Sequence, residues 1–155
     1  MKFNKLVDLI GNTPLVEAQN LVPNKNVKLL LKLEGNNPGG SVKDRAAYNM
    51  IASALESGAI KKGDKLIEAT SGNTGIALAM IAQVLNIDIE LVLPENSTKE
   101  RTQTMRAYGA KVILTPAEEG IIGSRVYADT KVAEGGYVML NQFANDDNWK
   151  AHYKT

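Results

Sequence analysis

From residue 41 to residue 140 the sequence alternates helical apolar stripes with short apolar runs, and an α/β fold is what accommodates that order. The stripe Val42, Ala46, Ala47, Met50, Ile51, Ala54 and Leu55 predicts a helix over 41–57, with Gly58 placed to end it. A strand over 65–69 and a helix over 73–85 follow, then a strand over 87–93 closed by Pro94. Ser97-Thr98-Lys99-Glu100 has the form of a capping box and opens a helix to Tyr108, where Gly109 supplies the turn. A strand over 111–114, a helix over 124–134 stopped by Gly135-Gly136, and a strand over 137–140 complete the series. Strands separated by helices of ~10–15 residues indicate βαβ units around a parallel sheet. Ahead of the series, 14–18 reads as a brief strand and 27–34 as a partly alternating one. The last stretch, 145–155, is polar, carries the only tryptophan, Trp149, and shows neither a cap nor a core pattern. It reads as an entry into further structure.

Composition narrows the chemistry. With 155 residues, 44% of them hydrophobic and 23% charged, the chain reads as about one domain able to bury a core without staples. The net charge of +1 is scattered, with no basic stripe, so nucleic acid is not an expected partner. There is no cysteine, which excludes disulfides, thiolate metal sites and a cysteine nucleophile. The single histidine, His152, excludes a histidine-based metal cluster within one chain and argues against a Ser-His-Asp relay, so no metal is expected. No run approaches the ~20 apolar residues of a membrane span, and residues 1–11 lack the apolar run of a signal peptide. The expected location is cytoplasmic.

Lys43 is the first candidate for chemistry. Ser41 is a good N-cap and Asp44 completes an approximate capping box, so Lys43 falls in the first helical turn. The helix dipole is positive there and disfavours a cation. That favours the neutral amine, the form that attacks a carbonyl to make a Schiff base.

The second candidate is Thr70-Ser71-Gly72-Asn73-Thr74-Gly75, which joins a strand to a helix start. Two glycines allow close backbone approach, free N–H groups of the helix start point outward, and three hydroxyls and an amide add donors. Such a loop suits a carboxylate or a phosphate. It is neither a P-loop nor G-x-G-x-x-G, so no nucleotide fingerprint is present. An amine nucleophile and an anion cradle on successive helix starts of one parallel unit share the edge where ligands bind. That pairing suits amino-acid chemistry on a carbonyl cofactor.

Residues 37–45, Asn-Pro-Gly-Gly-Ser-Val-Lys-Asp-Arg, and 68–75, Glu-Ala-Thr-Ser-Gly-Asn-Thr-Gly, resemble the signatures of cysteine synthases, the O-acetylserine sulfhydrylases. These belong to the tryptophan-synthase-β-like class of pyridoxal-phosphate enzymes. The likeness runs from Ile10-Gly11-Asn12-Thr13-Pro14-Leu15 through Met105-Arg106-Ala107-Tyr108-Gly109-Ala110 to His152-Tyr153, and segments 32–38 and 76–82 are most similar to the B-type isozyme. The resemblance implies a three-layer αβα parallel sheet and pyridoxal 5'-phosphate as cofactor. By the same resemblance Lys43 matches the lysine that binds the cofactor and later moves the substrate α-proton. Asn73 matches the residue that hydrogen-bonds the cofactor's phenolic oxygen. Thr70, Ser71, Gly72, Asn73 and Thr74 match the loop that closes over the substrate carboxylate, and Gln142 matches a glutamine that reaches the same carboxylate. The implied reaction replaces the acetoxy group of O-acetyl-L-serine by sulfide, through an aminoacrylate, to give L-cysteine. A homodimer is the implied assembly of the complete protein.

Family members are about twice this length, and no G-[ST]-G-[ST]-like phosphate cup occurs here. The resemblance divides the chain into residues 1–40, a piece of the large cofactor domain; 41–143, a complete small mobile domain; and 144–155, a return into the large domain, which is left incomplete. Missing phosphate contacts of ~1.5–3 kcal/mol each predict a weak hold on the cofactor. Two alternatives stay open: a serine/threonine dehydratase or cystathionine β-synthase-like lyase, and a non-catalytic half-fold that partners a full-length synthase. A dedicated small-anion binding module is a third.

Overall fold

The computed structural model describes residues 5–18, 21–61 and 63–155. The opening residues 1–4, read above for a signal peptide, lie outside the described residues, as do 19 and 20 of the 1–40 segment. A short antiparallel hairpin pairs β1 (Leu15–Glu17) with β2 (Leu30–Lys32). Both strands are shorter than the sequence pattern predicts.

The remaining elements follow the expected alternation: α1 (Lys43–Glu56), β3 (Lys65–Ala69), α2 (Asn73–Val84), β4 (Asp88–Pro94), α3 (Lys99–Ala107), β5 (Lys111–Thr115), α4 (Gly120–Glu134) and β6 (Tyr137–Val138). The four strands form one sheet in the order β5-β4-β3-β6, every pair parallel. β6 is paired only through Lys65 with Tyr137 and Leu66 with Val138, so the expected strand over 137–140 is cut to two residues.

Both faces of the sheet are covered, which is why its strands read as near-continuous apolar runs. Leu66, Leu91 and Leu93 point to one face and pack with Met50 and Ile51 of α1, Leu78 and Ile81 of α2, and Met105 of α3. Ile67, Ala69 and Val92 point to the other and pack under Ala128 of α4. Met50, Met80 and Met105 are buried in the first cluster.

Three local expectations are corrected. The helix after Pro94 is capped by Thr98, not Ser97, and no side chain bonds its end. α4 begins four residues early because a 3-10 turn at Ala117–Glu119 feeds it. Residues 145–155 are not patternless: α5 (Asp146–Lys154) forms there, with the Asn145 side chain accepting from the Asp147 N–H. Asp146 and Asp147 lie in its first turn and His152 and Lys154 in its last, both favourable to the helix dipole. α5 docks on α1, where Asn49 Nδ2 donates to the Asp147 carbonyl at 2.7 Å.

Candidate active site

The strand order sets the site. β3 continues through α2 to β4 on one side, whereas β6 arrives on its other side after α4. Such a reversal leaves a crevice beyond the carboxyl ends of the two strands, the place where open α/β sheets take ligands. Residues 70–72 leave β3 there, and residues 139–142 leave β6 there. Thr70 and Gln142, far apart in sequence, thus share one end of two adjacent strands.

Thr70 and Thr74 are buried, Ser71 and Gly72 half-buried, and Asn73, the first residue of α2, is exposed. Gly72 occupies the cap position in extended conformation, and no side chain caps the helix. A Cβ placed on Gly72 would meet nothing within 4 Å, so the first N–H groups of α2 open onto free space. Gly75 differs: a Cβ there would lie 2.7 Å from Met105 Cε and 3.0 Å from Thr70 Cγ2. The expectation that both glycines serve ligand approach is therefore corrected, because Gly75 serves the packing of α2 on α3. Arg101 Nη1 of α3 stands 3.5 Å from the Ser71 carbonyl, so α3 touches the loop at this point.

Lys43 is the first residue of α1 and is half-buried. α1 leads into β3 and packs along α2, so it runs against the strand direction and starts at the edge where β3 ends. The expected Ser41–Asp44 capping box is not formed. The Ser41 hydroxyl accepts from the Lys43 N–H at 3.2 Å, and Asp44 turns back to accept from the Gly39 N–H at 2.5 Å. Gly40, with φ 84, folds the preceding turn over the helix start, which brings the Gly39 N–H within reach of Asp44. Asp44 is fully buried, and burial raises its pKa above the ordinary value. A Cβ on Gly39 would fall 2.5 Å from Asp44 Oδ1. Lys43 is therefore bonded through its own N–H to Ser41 and followed by a residue, Asp44, fixed to the loop before it. Among the described residues no hydrogen bond joins Lys43 to the 70–74 loop.

Two arrangements escaped the sequence reading. Arg45, two residues after Lys43, makes a bidentate pair with Glu34, Nε to Oε2 at 2.8 Å and Nη2 to Oε1 at 2.9 Å. Thr13 and Asn37 also donate to the Glu34 carboxylate, at 2.5 and 2.9 Å. The Arg45 hydrogen bond leads the effects that hold the Glu34 carboxyl at about 2. This network ties the N-terminal segment to the start of α1. No spacing in the sequence announces it.

The second is Glu68, buried near the end of β3. Its Oε2 accepts from the Asn141 N–H at 3.0 Å, and the Gln142 backbone amide lowers the carboxyl pKa. Asn141 has φ 53, a left-handed conformation rare outside glycine, and its Oδ1 accepts from Arg125 Nη1 at 3.0 Å. The available signal was a carboxylate inside the otherwise apolar run Leu66-Ile67-Glu68-Ala69.

An amine, two amides and three hydroxyls at one sheet edge, beside an uncapped helix start, form a donor set for a carboxylate and an aldehyde. The residues present thus fit the amino-acid end of a pyridoxal group. Among the described residues no helix is long and apolar enough to cross a membrane.

Comparison with known proteins agrees with this geometry. The chain is 53% identical to the cysteine synthase B of Pseudomonas aeruginosa over 99% of its own length and 51% of that protein's. A solved cysteine synthase (OASS) of Entamoeba histolytica superposes with a TM-score of 0.95 at 38% identity, covering 99% of this chain and 47% of the other. An O-acetylserine dependent cystathionine beta-synthase from Helicobacter pylori superposes at 0.92 with 39% identity, over 100% of this chain and 52% of the other. The fold is thus the parallel αβα arrangement of tryptophan-synthase-β-like enzymes, and the chain spans about half the length of the curated relatives it matches. The family model described as pyridoxal-phosphate dependent enzyme matches residues 6–155, and the chain belongs to that family.

Proposed function

We propose that this chain carries the amine and carboxylate-binding half of a cysteine synthase, which replaces the acetoxy group of O-acetyl-L-serine by sulfide to give L-cysteine and acetate. The observation that carries the reading is the meeting of residues 70–72 and 139–142 at the switch point between β3 and β6, on the edge where α1 presents Lys43. Bound pyridoxal phosphate would supply an aldehyde for amine capture and a ring that accepts electron density. Lys43 would hold the cofactor and move the proton at the substrate α-carbon. Asn73 would hydrogen-bond the cofactor. Thr70, Ser71, Gly72, Thr74 and Gln142 bind the substrate carboxylate, whose charge the uncapped start of α2 favours. The buried Thr70 and Thr74 give the cradle a dry floor that excludes water on one side.

The domain division is part of the same reading: 41–143 as the small domain, with 1–40 and 144–155 as pieces of a larger one. It is supported by the contrast between a sheet covered on both faces and a hairpin exposed on both. A homodimer for the complete protein rests on the resemblance, and a cytoplasmic location on the reading of residues 1–11 and of the apolar runs. The likeness to the Helicobacter pylori enzyme favours a second reading, in which a larger thiol replaces sulfide on the same substrate.

Borohydride reduction after incubation with pyridoxal phosphate, followed by peptide mapping, tests the reading. A single reduced adduct on Lys43, absent from Lys43→Ala, is expected. Labelling spread evenly over the surface lysines would overturn it.

A further inference from the structure

Glu68 sits in a strand whose neighbours, Ile67 and Ala69, belong to an apolar cluster, and it is 2% exposed. Burying a carboxylate there is costly unless both oxygens are satisfied. Only one is. Oε2 takes the Asn141 N–H, while Oε1 is buried with no partner among the described residues. The cost falls two residues before Thr70, and the carboxylate's bond lands on Asn141, next to Gln142. Glu68 is therefore the side chain that links the two strand ends framing the crevice.

We propose that Glu68 is a positioning residue of the carboxylate cradle: ionised, it holds the Asn141–Gln142 turn so that Gln142 stands beside the 70–74 loop, and on taking up a proton it loosens that hold. The inference rests on the cradle reading given above. Neighbouring charges allow the titration. Arg125 of α4 draws the Glu68 pKa down and Asp129 of the same helix pushes it up. On β4 the residue paired with Glu68 is Leu91, and the adjacent Glu90 is engaged by Lys111 and by Tyr137 of β6. Burial outweighs the rest and lifts the carboxyl to about 7, so both forms are present near neutrality.

The test is a pH titration of the ¹⁵N-labelled 155-residue chain by NMR, from about pH 5 to about pH 9, a range that brackets the raised carboxyl value. The Asn141 and Gln142 amides should shift together with a midpoint of about 7. Their exchange, corrected for intrinsic rate, should be slower above the midpoint by on the order of tenfold, as expected when a charge-assisted bond replaces a neutral one. In Glu68→Gln the shifts should be flat while part of the protection persists, since the amide oxygen accepts in the same place. Flat wild-type shifts, or the same titration in Glu68→Gln, would overturn the proposal. The wild-type titration needs no substitution, so a variant that fails to fold leaves the test standing. Failure of the Lys43 labelling with a positive titration here would strike the cofactor reading and leave this hold intact.

Discussion

The β3–β6 sheet and the β1–β2 hairpin are built from comparably apolar strands, yet their side chains meet opposite surroundings. Leu66 and Ile67 of β3 are 1% and 0% exposed, whereas Leu15 and Leu30 of the hairpin are 59% and 48% exposed. The difference lies in the covering layers. α1, α2 and α3 close one face of the parallel sheet and α4 the other, while both hairpin strands are exposed along their length. Attachment differs in kind as well. The parallel sheet is held by close-packed hydrocarbon, and the N-terminal segment is tied to α1 largely through Arg45, Glu34, Thr13 and Asn37. Apolar sequence alone does not bury a strand; a second layer must arrive to cover it.

The sharpest way to break this comparison is to truncate equivalent leucines. Leu91→Ala in the fully buried cluster should cost about 4 kcal/mol, read as a shifted urea midpoint. Leu30→Ala in the hairpin should stay within about 0.5 kcal/mol, and equal losses would erase the distinction. Next, Glu34→Ala should cost about 3 kcal/mol, because it strands the buried Arg45 guanidinium. The same pair fixes an acid response. A carboxyl depressed from 4.5 to about 2 adds stability that is present above pH 4.5 and is lost as pH falls toward 2. Acid unfolding followed by circular dichroism should lose that component in Glu34→Gln. The smallest effect is at α5, where Asn145→Ala removes the one cap bond and should cost about 1 kcal/mol by thermal melting.

The parallel region was also the legible one. Its strands and helices announce themselves because each is buried on a whole face or stripe, so periodicity and burial coincide in Leu66, Ile67, Leu91 and Leu93. α5 was missed because its helix buries little beyond Ala151, leaving no stripe to read. Its cap, Asn145 ahead of two aspartates, was nevertheless present in the sequence. The capping boxes at Ser41 and Ser97 were legible but misleading: a left-handed glycine redirected Asp44, and Thr98 took the cap place from Ser97. At the site, the 70–74 loop and Lys43 could be placed from local pattern. The sharing of one strand end by Gln142 and Thr70 could not, since it depends on β6 lying on the far side of β3. Glu68 and the Arg45 pair likewise depend on that tertiary placement.

The position of β6 also has a consequence in time. β3, β4 and β5 are neighbours in both sequence and space, so their ladder closes through short loops. β6 joins by pairing Tyr137 with Lys65, across the whole intervening ladder, through only two residue pairs. Contacts of such long range are slow to form, and a two-residue ladder contributes little to reward them. During synthesis the 70–74 loop therefore emerges and folds while its partner turn is still inside the ribosome. The crevice is the last feature of the sheet to exist.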